Sequence, residues 1–183
     1  MYVKKIYLLL IFSIFASFLY AQNALDSLLQ KEKKTSEAQK AAVYNKIAEY
    51  YLTNNQTQEA GRYIQKALSL AIEYKKDYDL GVAYHNQGWL LVLQNDMVKA
   101  KKNLEKSISI KRTTGDHEGL AKSLNRVGII LQGWGKMEEA MPYYENSYIE
   151  AEKAGYTRGM AIAINQQANI YNLTGKYEDA IKK

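Results

Sequence analysis

A chain that repeats itself at a fixed interval has few folds open to it, and this one repeats at an interval of 40 residues. A small residue recurs at Ala48, Gly88, Gly128 and Ala168. A turn-forming residue recurs at Asn55, Asn95, Gly135 and Gly175, with alanine five residues later at Ala60, Ala100, Ala140 and Ala180. A bulky residue follows at Ile64, Leu104 and Tyr144, then a small one at Ala67, Ser107 and Ser147. Units 41–80, 81–120, 121–160 and an incomplete 161–183 align without a gap. Self-similarity of this length marks a solenoid, in which each unit buries its apolar face only against its neighbours.

Each unit reads as two helices. In the first, Tyr44, Ile47, Ala48 and Tyr51 fall at i, i+3, i+4 and i+7, and Asn54-Asn55 marks a turn. Ala60, Tyr63, Ile64, Ala67, Ala71 and Tyr74 continue the same period in a second helix. The later units repeat this, with Gly115-Asp116 and Gly155-Tyr156 as connections. Gly88 and Gly128 each forgo roughly 1 kcal/mol of helix propensity relative to alanine, which makes sense where a second helix must come close. Pro142 lies near the start of a helix, where a tolerated bend is expected. The fold expected is an all-α helix-turn-helix solenoid. Ahead of it, residues 22–40 form an N-terminal helix and linker, with Leu25, Leu28 and Leu29 on one face and a charged run from Lys31 to Lys40.

The N-terminus has the pattern of a secretory leader. Lys4 and Lys5 precede an apolar run from Ile6 to Tyr20. That run is shorter than the roughly 20 residues of a bilayer span, and suits a signal peptide over 1–21 with cleavage after Ala21. Export to a periplasmic or secreted location is expected, with an uncleaved signal anchor as the alternative. The chain has 25 Lys and Arg against 19 Asp and Glu, and two of those lysines belong to the leader. The remaining excess is mild and does not suggest a nucleic-acid binder. At the other end Lys183 comes three residues after Ala180, inside the second helix of the fourth unit. Solenoid ends need a cap, so the fourth unit is expected to fray as an isolated folding unit.

Catalytic and metal chemistry find little to work with. Cysteine is absent, which removes thiolate nucleophiles and zinc–thiolate sites. His85 and His117 are the only histidines, and neither has a second ligand at metal spacing. Gly133-Trp134-Gly135-Lys136 lacks the length and the Ser or Thr of a phosphate loop, and it aligns with the turns of the other units. No enzyme activity, cofactor or metal is expected. Lys99, Lys102 and Lys106 share one helix face and Glu138, Glu139, Glu145, Glu150 and Glu152 crowd the next unit's second helix. Exposed charges of opposite sign on neighbouring faces are read as mutual attraction.

With Leu124, Val127-Gly128, Leu131, Ala140, Tyr144 and Ser147 in register, the chain resembles the tetratricopeptide repeat family from Ala41 onward. The resemblance implies a right-handed superhelix that binds protein or peptide partners, with membrane contact only through the leader or a segment beyond this chain. Three departures stand out. The repeat is longer than the family's 34 residues, which implies longer second helices or longer connections. The proline usual near each unit's end is replaced by residues such as Ile72, Arg112 and Glu152, and Gln87 and Gln167 stand where Ile47 and Val127 are aliphatic. Together with the leader, the long repeat is similar to exported repeat regions of bacterial sensor histidine kinases.

In that family the first helices line a concave face, which selects the candidate ligand-binding residues. Asn45, His85, Asn125 and Asn165 share one repeat position, where the asparagine amides could pair with a peptide backbone as a ladder. Lys122 and Arg126, one turn apart, resemble part of a carboxylate clamp, with Asn86 matching a third member. Asn45 and Glu49 depart from that clamp, and Glu49 would repel a carboxylate. The simplest reading of all these positions is solvated polar surface. Two binding or signalling functions follow from the resemblance, beside a purely structural assembly factor. One is an exported scaffold binding a peptide or protein segment in its groove. The alternative is the sensory or dimerising region of a membrane-bound two-component signalling protein whose catalytic part lies beyond this chain.

Overall fold

A computed structural model describes residues 23–175; the leader and Ala180 lie outside the described residues. Residues 23–34 are helical (α1). Then follow α2 (Glu37–Thr53), α3 (Thr57–Glu73), α4 (Asp77–Leu93), α5 (Met97–Thr114), α6 (His117–Gly133), α7 (Met137–Lys153) and α8 (Thr157–Leu173). No strand occurs among the described residues. The fold is an all-α helical repeat. Each unit begins a few residues earlier than the sequence boundaries: Ala41 lies inside α2, and the units start at Glu37, Asp77, His117 and Thr157.

The turns explain why the helices stop where they do. From α2 onward, one residue in each inter-helix turn takes the left-handed conformation: Asn55, Lys75, Asn95, Gly115, Gly135 and Gly155, with Gly175 after α8. At the first turn the Asn55 amide donates to the Leu52 carbonyl and the Gln56 amide to the Tyr51 carbonyl. The same pair of bonds recurs with Lys75–Ile72 and Lys76–Ala71, and with Asn95–Val92 and Asp96–Leu91. This is the Schellman arrangement, which satisfies carbonyls that a helix end would leave unpaired. Connections such as 54–56, 74–76 and 134–136 are short. The extra length over a 34-residue repeat therefore sits in helix and not in the connections that the sequence also allowed. Pro142 is accommodated inside α7, which runs unbroken.

Packing follows the small-residue columns. Ala60, Ala100 and Ala140 are fully buried beside Ile64, Leu104 and Tyr144. A Cβ on Gly88 would lie 2.6 Å from Leu104 Cγ, and one on Gly128 would lie 2.5 Å from Tyr144 Cε1. The bulky residue of each second helix thus occupies the space that the missing side chain leaves. Ser107 and Ser147, in the small column after it, donate to the carbonyls of Gly81 (2.8 Å) and Ala121 (2.9 Å), tying the two helices of their units together. At the N-terminal end Leu25, Leu28 and Leu29 pack against the cluster of Val43, Tyr44, Ile47, Ala67 and Ala83. Gln87 meets Gln65 across α3 and α4, whereas Gln167 is buried with its Oε1 unpaired among the described residues.

α2, α4 and α6 each pack most extensively on the second helix of their own unit, and α4, α6 and α8 also pack on the second helix of the preceding unit. First helices also touch one another, α2 with α4, α4 with α6 and α6 with α8, whereas α3, α5 and α7 do not meet. The row in contact is the inner side of the curve and the splayed row is the outer side.

Candidate ligand groove

On the inner side a cavity of about 230 Å³ opens where α2, α4 and α6 come together. Ala42, Asn45, Lys46 and Glu49 enter it from α2, Tyr78, Asp79, Val82, His85 and Asn86 from α4, and Glu118, Gly119 and Lys122 from α6. Lys111 reaches it from the end of α5, and Asp116 from the turn before α6. Of the sequence candidates, Asn45, His85, Asn86 and Lys122 are brought together here. Arg126, Asn125 and Asn165 are not.

The repeat position expected to form an open amide ladder is graded instead. Asn45 is buried, and its Nδ2 donates to the Asp79 carbonyl at 2.9 Å. Asn86 is buried as well, its Nδ2 donating back to the Asn45 carbonyl at 3.1 Å. These two amides lace α2 to α4, because neighbouring first helices approach closely enough to enclose the side chains between them. His85 is buried against Ser123, Asn125 is half-buried and Asn165 is exposed. The carbonyl oxygens of the Asn45 and Asn125 side chains are buried without a donor among the described residues.

His85 Nδ1 lies 2.9 Å from Ser123 Oγ, which is 3.1 Å from Ser107 Oγ. Ser123 also donates to the Gly119 carbonyl at 3.0 Å. With that proton committed, Ser123 accepts from a neutral His85 carrying its proton on Nδ1. Burial, reinforced by Lys111, Arg126 and Lys122, holds the His85 pKa well below its ordinary value and keeps the ring neutral. Both serine hydroxyls are fully buried, so this is a closed structural network with no access for a substrate carbon.

Lys111 is buried, with its Nζ 3.6 Å from Asp116 Oδ2. Burial draws its pKa down to about 8 against the opposing pull of Asp116. Asp116 Oδ1 also accepts from the Gly119 amide at 3.0 Å, capping α6. A Cβ on Gly119 would lie 2.1 Å from Asp116 Oδ2 and 2.5 Å from Lys111 Nζ, so a larger residue there would displace this pair.

Lys122 and Arg126, one turn apart on α6, line different cavities. Lys122 pairs with Glu118 at 2.6 Å and lies over the Tyr156 ring. Burial opposes its charge, but Glu118, Tyr156 and Glu49 outweigh burial and leave the pKa raised. Arg126 instead lies 4.0 Å over the Trp89 ring and lines a separate cleft.

Residues 39–113 and residues 121–148 each match a family model described as the tetratricopeptide repeat, together more than half of the chain. The chain carries tetratricopeptide repeats. Similar solved structures include the aspartyl phosphate phosphatase F of Bacillus subtilis, at TM-score 0.77 and 17% identity over 90% of this chain. A Rap protein complexed with competence and sporulation factor matches at 0.77 and 22% identity, also over 90% of this chain. A signal transduction ATPase with numerous domains and a tetratricopeptide repeat sensor, from Pyrococcus horikoshii, matches at 0.73 and 24% identity over 87%. This chain spans 47%, 48% and 25% of those three proteins, and the likeness at these identities concerns the fold. A comparison with curated proteins finds no match.

Within the repeats, Lys111, Asp116 and Gly119 are groove residues that sequence reasoning passed over. A signal existed. Lys111 occupies the column of Ala71 and Ala151, both fully buried, so a lysine there was an anomaly legible without coordinates. Trp89, the platform for Arg126, left no comparable trace.

Proposed function

We propose that these tetratricopeptide repeats form an exported, non-catalytic scaffold that holds a peptide or protein segment in the inner groove. The observation that carries this reading is the cavity between α2, α4 and α6, where Lys46, Glu49, Lys122, Asp79 and Glu118 surround laced and buried polar groups. The lacing at Asn45 and Asn86 fixes the helices before any ligand arrives, which lowers the ordering cost of binding. Recognition falls to Lys46, Glu49 and Lys122, with Asn125 and Asn165 continuing the row toward α8. The apolar leader of residues 6–20 supports export. A neighbouring Rap structure was solved complexed with competence and sporulation factor, which supports a bound partner here.

The test is a displayed-peptide selection against the full chain, followed by titration of the selected peptide against variants. Lys122→Glu and the pair Asn125→Ala with Asn165→Ala should weaken binding by about tenfold or more, with helicity unchanged. Binding that survives all of these changes places the surface elsewhere.

A second reading makes the repeats the sensory or dimerising region of a membrane-bound two-component signalling protein. The tetratricopeptide repeat sensor of the Pyrococcus horikoshii ATPase favours it. No described helix is long and apolar enough to cross a membrane. Genomic sequence downstream that encodes a transmembrane helix and a kinase or regulator portion would favour this reading over a free scaffold.

A further inference from the structure

A second cavity shares no lining residue with the groove. It is a cleft of about 400 Å³ between the α4–α5 turn and the C-terminal end of α6. Val92, Met97, Ile130 and Trp134 make its walls apolar, and Arg126 and Asn95 are its polar groups. Trp134 is 41% exposed at the rim.

Arg126 is the unusual member. It is half-buried, and among the described residues no carboxylate lies within ion-pairing distance of it. Its guanidinium rests on Trp89 at 4.0 Å. Burial lowers its pKa to about 10, Glu49 opposing from a distance, so it stays charged at neutral pH. A partly desolvated cation with no counter-charge is costly to keep, and a ring face compensates only part of the lost solvation. A concave site of roughly 300–1,000 Å³ with apolar walls and few polar groups is the usual form of a small-molecule site.

We propose that this cleft binds a small carboxylic acid with an aromatic or branched aliphatic body. The body fills the space between Met97, Ile130 and Trp134, and the carboxylate takes the fork of Arg126, with Asn95 as a second donor. An anion here supplies the counter-charge that the fold leaves out, and the guanidinium fork matches a carboxylate in both shape and charge. The inference does not rest on the groove reading, since the two cavities have separate walls.

The chain's two tryptophans, Trp89 under the guanidinium and Trp134 in the wall, make intrinsic fluorescence a direct readout. The full chain is titrated with 3-phenylpropanoate, with its uncharged partner 3-phenylpropanamide, and with a pentapeptide ending in phenylalanine. The acid should change tryptophan emission saturably, and the amide should bind about tenfold or more weakly. Arg126→Met should lose the preference for the acid. Ile129→Asp, at an exposed rim position, should weaken the acid without burying a new charge, and keeps the test open if Arg126→Met misfolds. Equal binding of acid and amide, no saturable response, or unchanged binding in both variants would overturn the proposal. Binding of the peptide but not of the free acid would overturn it too, and make the cleft a peptide site.

Discussion

Tyr144 occupies the place where Gly128 has no side chain. A Cβ there would lie 2.5 Å from Tyr144 Cε1, and the ring is fully buried, its hydroxyl donating to Gln132 Oε1 at 2.7 Å. A ring closed in on its face and held at its tip cannot retreat. Gly128→Ala should therefore destabilise the protein by about 1–3 kcal/mol, although alanine favours a helix by roughly 1 kcal/mol. Gly133, at the end of the same helix, has nothing within 4 Å of its added Cβ. Gly133→Ala should be neutral or stabilising. Urea unfolding of the two variants checks the contrast; equal effects would mean that the close approach is not what selects glycine at 128.

Lys75 is the one turn residue that is neither asparagine nor glycine, yet it has φ 51°. A Cβ is strained there against the following carbonyl oxygen by roughly 1–2 kcal/mol. Lys75→Gly should raise stability by about 0.5–1 kcal/mol, less what glycine adds to the freedom of the unfolded chain. Lys75→Val should lower it. A shift of the urea midpoint in the opposite order would contradict the turn geometry.

The buried Lys111–Asp116 pair makes a prediction about pH. The Lys111 pKa is about 8 in the folded protein, against about 10.4 in an unfolded chain. Between those values the unfolded state binds the extra proton, so this group's contribution to stability rises with pH and is least favourable below pH 8. Asp116→Asn keeps an acceptor for the Gly119 amide but removes the counter-charge. It should cost about 1–2 kcal/mol at pH 7, and that deficit should fade toward pH 9.5 as the amine becomes neutral. Paired denaturant titrations at the two pH values measure it. An unchanged deficit would show that Lys111 is not the group responsible.

Much of the fold was legible because it is periodic. The columns of Ala48/Gly88/Gly128, Ala60/Ala100/Ala140 and Ile64/Leu104/Tyr144 each report one packing contact repeated along the solenoid, so a single chain carries its own alignment. The turns were readable where the left-handed position holds asparagine or glycine, and Lys75 was missed because lysine carries no turn signal. The groove was less readable. Asn45 and Asn86 look like free amides in sequence, but whether a polar side chain faces ligand or a neighbouring helix depends on the rotation of one helix against the next. No periodicity encodes that rotation. Arg126 shows the same limit, one turn from Lys122 in sequence yet lining a different cavity.

The central claim is that a peptide lies along the inner row of first helices. The most direct measurement is photo-crosslinking of a selected peptide to the full chain, with the attachment points read by mass spectrometry. Attachment should fall on the inner surfaces of α2, α4 and α6, near Lys46, Glu49 and Lys122. Attachment confined to the outer helices, at residues such as Lys66, Lys102 or Glu145, would contradict it.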